Sequence, residues 1–294
     1  MVWASNANIQ LVMDFEDTYG TSRTASSRAG FKIPFTSCDL KEDQTSQQSK
    51  ILGSGRHAAK PFYGNNVVSG TLVGPIDNGA VIGYILKACF GVPTTTGSAD
   101  PYTHTFKIGT STPSFILEKG YTDLTIPEYF LYNGCKIVGI SFSFTPAGQL
   151  IYTAQLVGAG ETAGTAAYQA SPTDLRYPAN IYYPCNALIS EGGSPVTNIE
   201  ELSFDYKNNT VLGYGLNGTG KATAASEGGP TIEGRIKAMF DSMTILAKGQ
   251  AHTESSLSVT CTQSTHSFSC YADELEYDHK TPVINTPAGV YLDL

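Results

Sequence analysis

The sequence predicts a mostly β protein, a β-sandwich or barrel with one short helix in each of two like halves. Three observations carry that reading. From Ile140 to Leu156, apolar and polar residues alternate on either side of a short break, the spacing of half-buried strands. The 294 residues include 30 Gly and 15 Pro but only 15% charged residues, a composition suited to many strands joined by turns. Helical spacing is confined to two short stretches, and these stand at equivalent places along the chain.

Taken in order, Met1 to Gly30 is polar and Gly/Ser/Thr-rich apart from Ile9-Gln10-Leu11-Val12-Met13. It reads as an N-terminal arm, with Thr21 to Arg28 mobile. It lacks the basic start and apolar centre of a signal peptide. Phe31 to Leu40 reads as a strand and the polar Lys41 to Lys50 as a loop. Val67 to Val73 is a strand. In Asp77 to Phe90, Ala80, Val81, Tyr84, Ile85 and Ala88 recur at helical spacing, with Asp77 or Asn78 as N-cap. Pro93 to Pro101 reads as a loop, and Thr105 to Ile108 and Ser114 to Glu118 as strands.

A hairpin follows. Asn133-Gly134 reads as a tight turn before Cys135. Ile140, Phe142 and Phe144 alternate with Ser141, Ser143 and Thr145; Pro146 to Gln149 breaks the run; Leu150, Tyr152, Ala154 and Leu156 resume it. The first β-domain is therefore placed at 31–158. Residues 159–180, Ala/Gly/Thr-rich and without an apolar period, read as a linker, and 181–294 as a second β-domain. There Gly192-Gly193 reads as a turn. Leu202, Phe204 and Tyr206 mark a strand, Ile232 to Phe240 another, and Asp241 to Lys248 a short helix. Leu257 to Cys261 and Ser267 to Tyr271 read as strands, before an acidic segment, Asp273 to Asp278.

The halves share one offset. Gly70, Asp77 and Val81 are matched by Gly234, Asp241 and Ile245, each 164 residues later. Both places read strand, Asp cap, short helix, then two strands, with Phe106 and Phe115 set against Leu257 and Phe268. A duplication accounts for this.

Chemical motifs are few. Gly215 to Ala222 approaches a phosphate-binding loop, but Ala222 supplies no hydroxyl and Ser226-Glu227-Gly228-Gly229-Pro230 cannot continue as a helix, so it reads as a β-β loop. The five histidines lack metal-ligand spacing, no nucleophile elbow occurs, and no catalytic, metal or cofactor site is expected. Apolar runs are too short to span a membrane as helices. The six cysteines read as reduced thiols. Cys261 and Cys270 lie where a hairpin could bring them face to face, and a bond between them is left open. The net charge is −8 with no basic run, which disfavours binding to nucleic-acid phosphate.

The order Glu118-Lys119-Gly120-Tyr121-Thr122-Asp123, then Tyr132-Asn133-Gly134-Cys135-Lys136-Ile137, followed by Ser141-Phe142-Ser143-Phe144, resembles the phage tail tube (major tail) protein family. The likeness is strongest from about Thr105 to Gly158 and near Gly289. It implies a tail-tube-like β-sandwich or barrel and a structural, non-enzymatic virion protein, made in the host cytoplasm. Its subunits would form stacked rings of a hollow tube through which DNA and tape measure protein pass, with terminator and distal tail proteins at the ends. Two like domains per chain imply a ring of three chains with pseudo-sixfold symmetry; one implies six. In that setting two acidic clusters, Asp39, Glu42 and Asp43 in the first half and Glu200, Glu201 and Asp205 in the second, are candidates to line the lumen. Carboxylates there would repel phosphate and let a duplex slide; otherwise they form a solvated face. A different class, a carbohydrate-binding or adhesin β-sandwich on a virion, would need exposed aromatic platforms; the chain has 17 Tyr but one Trp, Trp3.

Overall fold

The computed structural model describes residues 4–5, 8–49, 60–176, 181–286 and 289–294; Trp3 lies outside them. The chain enters through β1 (Ile9–Phe15), β2 (Phe31–Ile33), β3 (Ser37–Cys38), β4 (Lys41–Gln47) and β5 (Phe62–Pro75), then helix α1 (Ala80–Phe90). A small hairpin, β6 (Thr94–Thr96) and β7 (Thr103–Thr105), precedes β8 (Phe115–Tyr121), β9 (Glu128–Phe144), β10 (Ile151–Gly158), β11 (Gly160–Gly164) and β12 (Thr173–Asp174). The later part holds β13 (Ala187–Glu191), β14 (Ser194–Val196), β15 (Ile199–Lys207), β16 (Val211–Tyr214), β17 (Ala222–Ser226) and β18 (Thr231–Met239). Helix α2 (Thr244–Ala251), β19 (Ser255–Gln263), β20 (His266–Leu275), β21 (Val283–Thr286) and β22 (Gly289–Asp293) complete it.

The expected hairpin is β9–β10, with Phe142 opposite Tyr152 and Ile140 opposite Ala154. Those four side chains are buried, as alternation requires, while Ser141 and Ser143 face the other way. Asn133-Gly134 is not a hairpin turn. It is a bulge inside β9, where the register against β8 shifts by one residue and Gly134 takes φ +60°. A bulged strand bends and twists more strongly. Before the bulge β9 pairs with β8, and beyond it with β10. The buried Glu16 carboxylate accepts the Gly134 and Gly20 N–H groups at 2.8 and 2.9 Å, fixing the bend.

One sheet carries β4, β5, β10, β9, β15, β18, β22 and β21 in that order, each antiparallel to the next. The first four strands match the last four. The facing leaf of each half matches too: β2-β1-β8-β9 in the first, β14-β13-β19-β20 in the second. A helix follows β5 and β18 alike, starting at Ala80 and Thr244. The Ile76 N–H bonds to the Leu150 carbonyl as the Phe240 N–H bonds to that of Val290. Leu11, Ile33 and Leu117 of one leaf, Leu72, Tyr152 and Leu156 of the other, and Val81, Ile85 and Ala88 of α1 share one buried core. At roughly 1.5–3 kcal/mol per buried large side chain, that core drives folding.

Several sequence expectations are corrected. Within the expected arm, β1 is a paired strand whose Leu11, Val12 and Met13 are buried; its apolar run was too short to outweigh the polar flanks. The expected strand from Phe31 to Leu40 is divided by Pro34 into β2 and β3. Lys41 to Gln47, expected as loop, is strand β4, exposed at nearly every position. The expected linker contains β11, paired with β9, and the buried Tyr168, whose hydroxyl donates to Asp14 at 3.0 Å. Pro93 to Pro101 contains strand β6, and the strand expected at Thr105 to Ile108 ends at Thr105. Helix α1 is capped at Gly79, with Asp77 accepting the Gly79 N–H instead of capping directly. In the hairpin β19–β20, Cys270 stands opposite Val259 and Cys261 opposite Phe268, so the two thiols are offset and free.

Candidate assembly surface

The sheet that runs through both halves has one face on the core and one away from it. The second face is largely polar by alternation, with Val67, Val73 and Ile151 as apolar exceptions. In the first half it presents Ser69, Thr71, Ser141, Ser143, Thr153 and Gln155, the neighbours in sequence of Val68, Leu72, Phe142 and Ala154, which are buried. In the second half it is charged and paired. Lys207 meets Glu233 at 3.5 Å, Arg235 holds Asp293 through two nitrogens at 2.7 and 2.5 Å, and Lys237 lies 3.3 and 3.2 Å from Glu200 and Glu201. Exposed pairs of this kind contribute only about 0–1 kcal/mol each, so their effect is on the potential of the face more than on stability.

The sequence-predicted acidic residues are distributed as follows. Asp39, Asp43, Glu201 and Asp205 share the polar face. Asp39 accepts the Thr71 N–H and hydroxyl, and Asp43 pairs with Lys41 at 2.7 Å. Asp205 accepts the Ser141 hydroxyl across the β9–β15 junction. Glu200 joins them because of the register shift between Ile199 and Glu201. Glu42 does not. It alternates to the other side, where it accepts Asn66 Nδ2 at 2.8 Å and the Glu161 N–H at 2.7 Å. The Thr71 N–H holds the Asp39 carboxyl below its usual range, and Arg235 does the same for Asp293. The hydrogen bonds that Lys237 donates to Glu201 and Glu200 raise its pKa. The counter-charges Lys41, Lys207, Arg235 and Lys237 were missed. Arg235 and Lys237 were legible, because they alternate with the buried Ile236 and Ala238.

The sheet ends in two margins. Among the described residues β4 pairs only with β5, and β21 only with β22. With eight strands alternating in direction, β4 and β21 run opposite ways. Each leaves a row of main-chain donors and acceptors facing outward, a template for strand addition. Near the first margin Phe62 and Tyr63 are exposed, and near the second Met239 and Met243.

Elsewhere polar burial is structural. Lys136 reaches across to Glu227 and to the Thr112 carbonyl at 2.6 Å, tying the 109–114 loop to the segment after β17. Burial pushes the Glu227 carboxyl up, but the Lys136 ammonium and the Thr112 donors together outweigh it and hold it at about 2. Gly215 to Ala222 joins β16 to β17, and Lys221 donates to the Glu161 carbonyl at 2.9 Å. Among the described residues no group of three or more His, Cys, Asp and Glu is placed to hold a metal ion, and no helix is long and apolar enough to cross a membrane.

A protein-family profile described as phage tail tube protein matches residues 6–294. No curated protein matches the chain.

Proposed function

The chain belongs to the phage tail tube protein family, a structural component of the virion tail, and from that premise we propose how it builds a tube. Three chains close a ring with pseudo-sixfold symmetry, each contributing two like domains. The β21 margin of one copy pairs with the β4 margin of the next, and stacked rings give the hollow tube. The observation that carries this reading is the strand order β4-β5-β10-β9-β15-β18-β22-β21. The joint between the halves is the antiparallel pairing of β9 with β15, the last strand of one run with the first of the next. Repeating the same joint between copies matches β21 to β4 with the right polarity. A contact of this kind, from one patch to a different patch, closes into a ring when its rotation divides a full turn, and closure removes both open margins.

The polar face then becomes the inner wall. Its hydroxyls, its ion pairs (Asp43 and Glu201 among their acids) and the carboxylates Asp39 and Asp205, which accept from Thr71 and Ser141, leave an acidic excess and no uncompensated basic row facing phosphate. DNA and tape measure protein pass without counterion-release binding. On this reading terminator and distal tail proteins would cap the tube ends, and the subunit would be made in the host cytoplasm.

Electron microscopy of the purified protein tests the reading. Hollow tubes with three chains per ring are expected. A dispersed monomer would overturn the assembly, and six chains per ring the stoichiometry.

A further inference from the structure

We propose that the seam between two copies of this chain takes a single register, with Pro282 of one copy opposite Leu40 of the next, and that Pro282 and Lys119 select it. This deepens the ring reading and rests on it.

The two halves correspond residue by residue. Along β5, Cys38 of β3 faces Leu72 and Lys41 of β4 faces Ser69; 164 residues later, Leu202 faces Ile236 and Asp205 faces Glu233. In β8, β9 and β10, Phe115 faces Cys135, Leu117 faces Tyr132 and Ser143 faces Ile151. Their counterparts stand 140 residues later: Ser255 faces Leu275, Leu257 faces Ala272 and Val283 faces Tyr291. Even the bulge is repeated. The internal joint sets Phe142 against Phe204, Ser141 against Asp205 and Ile140 against Tyr206. Carried to the two margins by these offsets, it sets Pro282 against Leu40, Thr281 against Lys41 and Lys280 against Glu42 of the next copy.

Main-chain chemistry at the margins fits that register. The Asn208 N–H donates to the Val138 carbonyl and the Asp39 N–H to the Thr71 carbonyl. Main-chain groups alternate in direction along an antiparallel strand, so Phe142 faces β15, while Leu40 turns away from β5 toward the margin. Pro282, at the place of Phe142, faces the other margin and has no N–H to give. Leu40 needs none. Its carbonyl accepts Lys119 Nζ, its N–H bonds to the Cys38 sulfur, and the residue is 0% exposed. Each margin is thus interrupted, and in the transferred register the two interruptions coincide. A slip of two residues separates them. Pro282 then meets Glu42 or Cys38 and leaves that carbonyl without a donor, while Leu40 offers nothing to the β21 residue it meets. Each slip forfeits at least one more hydrogen bond per seam, a loss of roughly fivefold in association. The unslipped register also sets the acids Glu42 and Asp43 beside Lys280 and His279, and opposite charges directly across a strand pair are favourable.

Paired antiparallel residues lie about 4.5–5.5 Å apart at Cα, within disulfide range. The test is the double variant Lys41→Cys, Thr281→Cys in a Cys185→Ser background, because Cys185 is an exposed thiol. Lys41 and Thr281 are both exposed. The protein is assembled under reduction, then oxidised and run on a denaturing, non-reducing gel. Covalent multimers ending at a closed trimer are expected, with none from either single variant. The slipped pair, Asp43→Cys with Thr281→Cys, is expected to give about tenfold less product. Rings that cross-link mainly through the slipped pair, or through neither, would overturn the register and leave the ring intact. A wild-type protein that forms no rings would overturn the ring reading and the register with it. Lys119→Met tests the selection. It leaves the Leu40 carbonyl without a donor and should raise the concentration needed for tubes by about tenfold. Adding Pro282→Ala supplies an N–H at that place and should restore assembly to within about twofold of wild type. A double variant that assembles no better than Lys119→Met alone would overturn the pairing of Pro282 with Leu40.

Discussion

Gly70 and Gly234 occupy equivalent places in β5 and β18, yet the structure assigns them different tolerances. Neither lies in the left-handed region, so alanine is conformationally allowed at both. A Cβ on Gly70 would sit 2.4 Å from Leu40 Cα and 2.6 Å from Leu40 N, backbone atoms at the entry to β4 that can yield only if the strand shifts. A Cβ on Gly234 meets the Ser203 carbonyl oxygen at 3.3 Å, a contact relieved by a small adjustment. Glycine in a strand interior gives up about 0.5–1 kcal/mol relative to alanine, while overpacking against a rigid neighbour costs about 1–3 kcal/mol. Gly70→Ala should therefore lose about 2 kcal/mol, and Gly234→Ala should be neutral or slightly stabilising. At about 2.1 cal/mol/K of unfolding entropy per residue, that is a fall of about 3 °C in Tm for the first variant and little change for the second. If the strain is released by detaching β4 alone, amide exchange in Lys41 to Gln47 should accelerate by about 30-fold, and ring formation should fail because the margin is lost. Urea melts, hydrogen exchange and microscopy on both variants measure this. Equal effects at the two glycines, or a Gly70→Ala protein that melts and exchanges like wild type, would refute the steric reasoning.

Phe142→Ala empties the centre of the β9–β10 hairpin, where the ring packs 5.9 Å from Phe268; a loss of about 3–5 kcal/mol is expected in chemical denaturation. Glu227 has a folded-state pKa of about 2 against an ordinary 4.5, so the unfolded chain binds more protons between those values. Its contribution, up to about 3 kcal/mol, is full above pH 4.5 and is lost as pH falls toward 2; Glu227→Gln should be less stable at neutral pH and flatten that acid limb of the stability curve. Asp43→Lys with Asp205→Lys places two cations per chain on the polar face. Tubes of this variant should bind duplex DNA with a log–log salt slope that steepens by about 0.9 for each phosphate engaged, where wild-type tubes show none; filter binding across a salt series reads it.

What the sequence made legible was whatever depends on local period. The alternation through Ile140, Phe142 and Phe144 located β9 and its partner, and the helical spacing of Val81, Ile85 and Ala88 located α1. The shared offset of 164 led to two stretches with the same strand–helix order. Long-range pairing was not legible. That β1 lies between β2 and β8 depends on a long-range pairing, Ile9 with Tyr121 through Phe15 with Phe115, as well as on the nearer β2, and nothing in Ile9 to Phe15 alone separates a central strand from an amphipathic arm. Gly134 misled for a related reason: a glycine at positive φ serves a turn or a bulge equally well, and only the pairing on both sides tells them apart. At the candidate wall the acidic clusters stood out because acids were adjacent in sequence. The same adjacency grouped Glu42 with them, although neighbours on a strand point to opposite faces and Glu42 turns toward Asn66 and Glu161.

The contrast between β4 and β15 carries the argument one step further. The two strands hold the same place in their halves, the first strand of each four-strand run. β15 was readable because Leu202, Phe204 and Tyr206 alternate against a partner on either side, β9 and β18. β4, with the sequence KEDQTSQ and exposure at nearly every position, read as a loop because, among the described residues, it pairs on one side only and has little core beneath it. Edge strands are kept soluble by charged residues and by a lack of apolar pattern, so a strand that must wait in solution for a second chain hides the signal by which strands are recognised. Main-chain hydrogen bonds, which leave no mark on composition, would then supply the contact at that margin. On the proposed assembly the charged, exposed side chains of β4 would keep a lone subunit soluble, while its open row of main-chain groups is what a neighbouring copy would pair with.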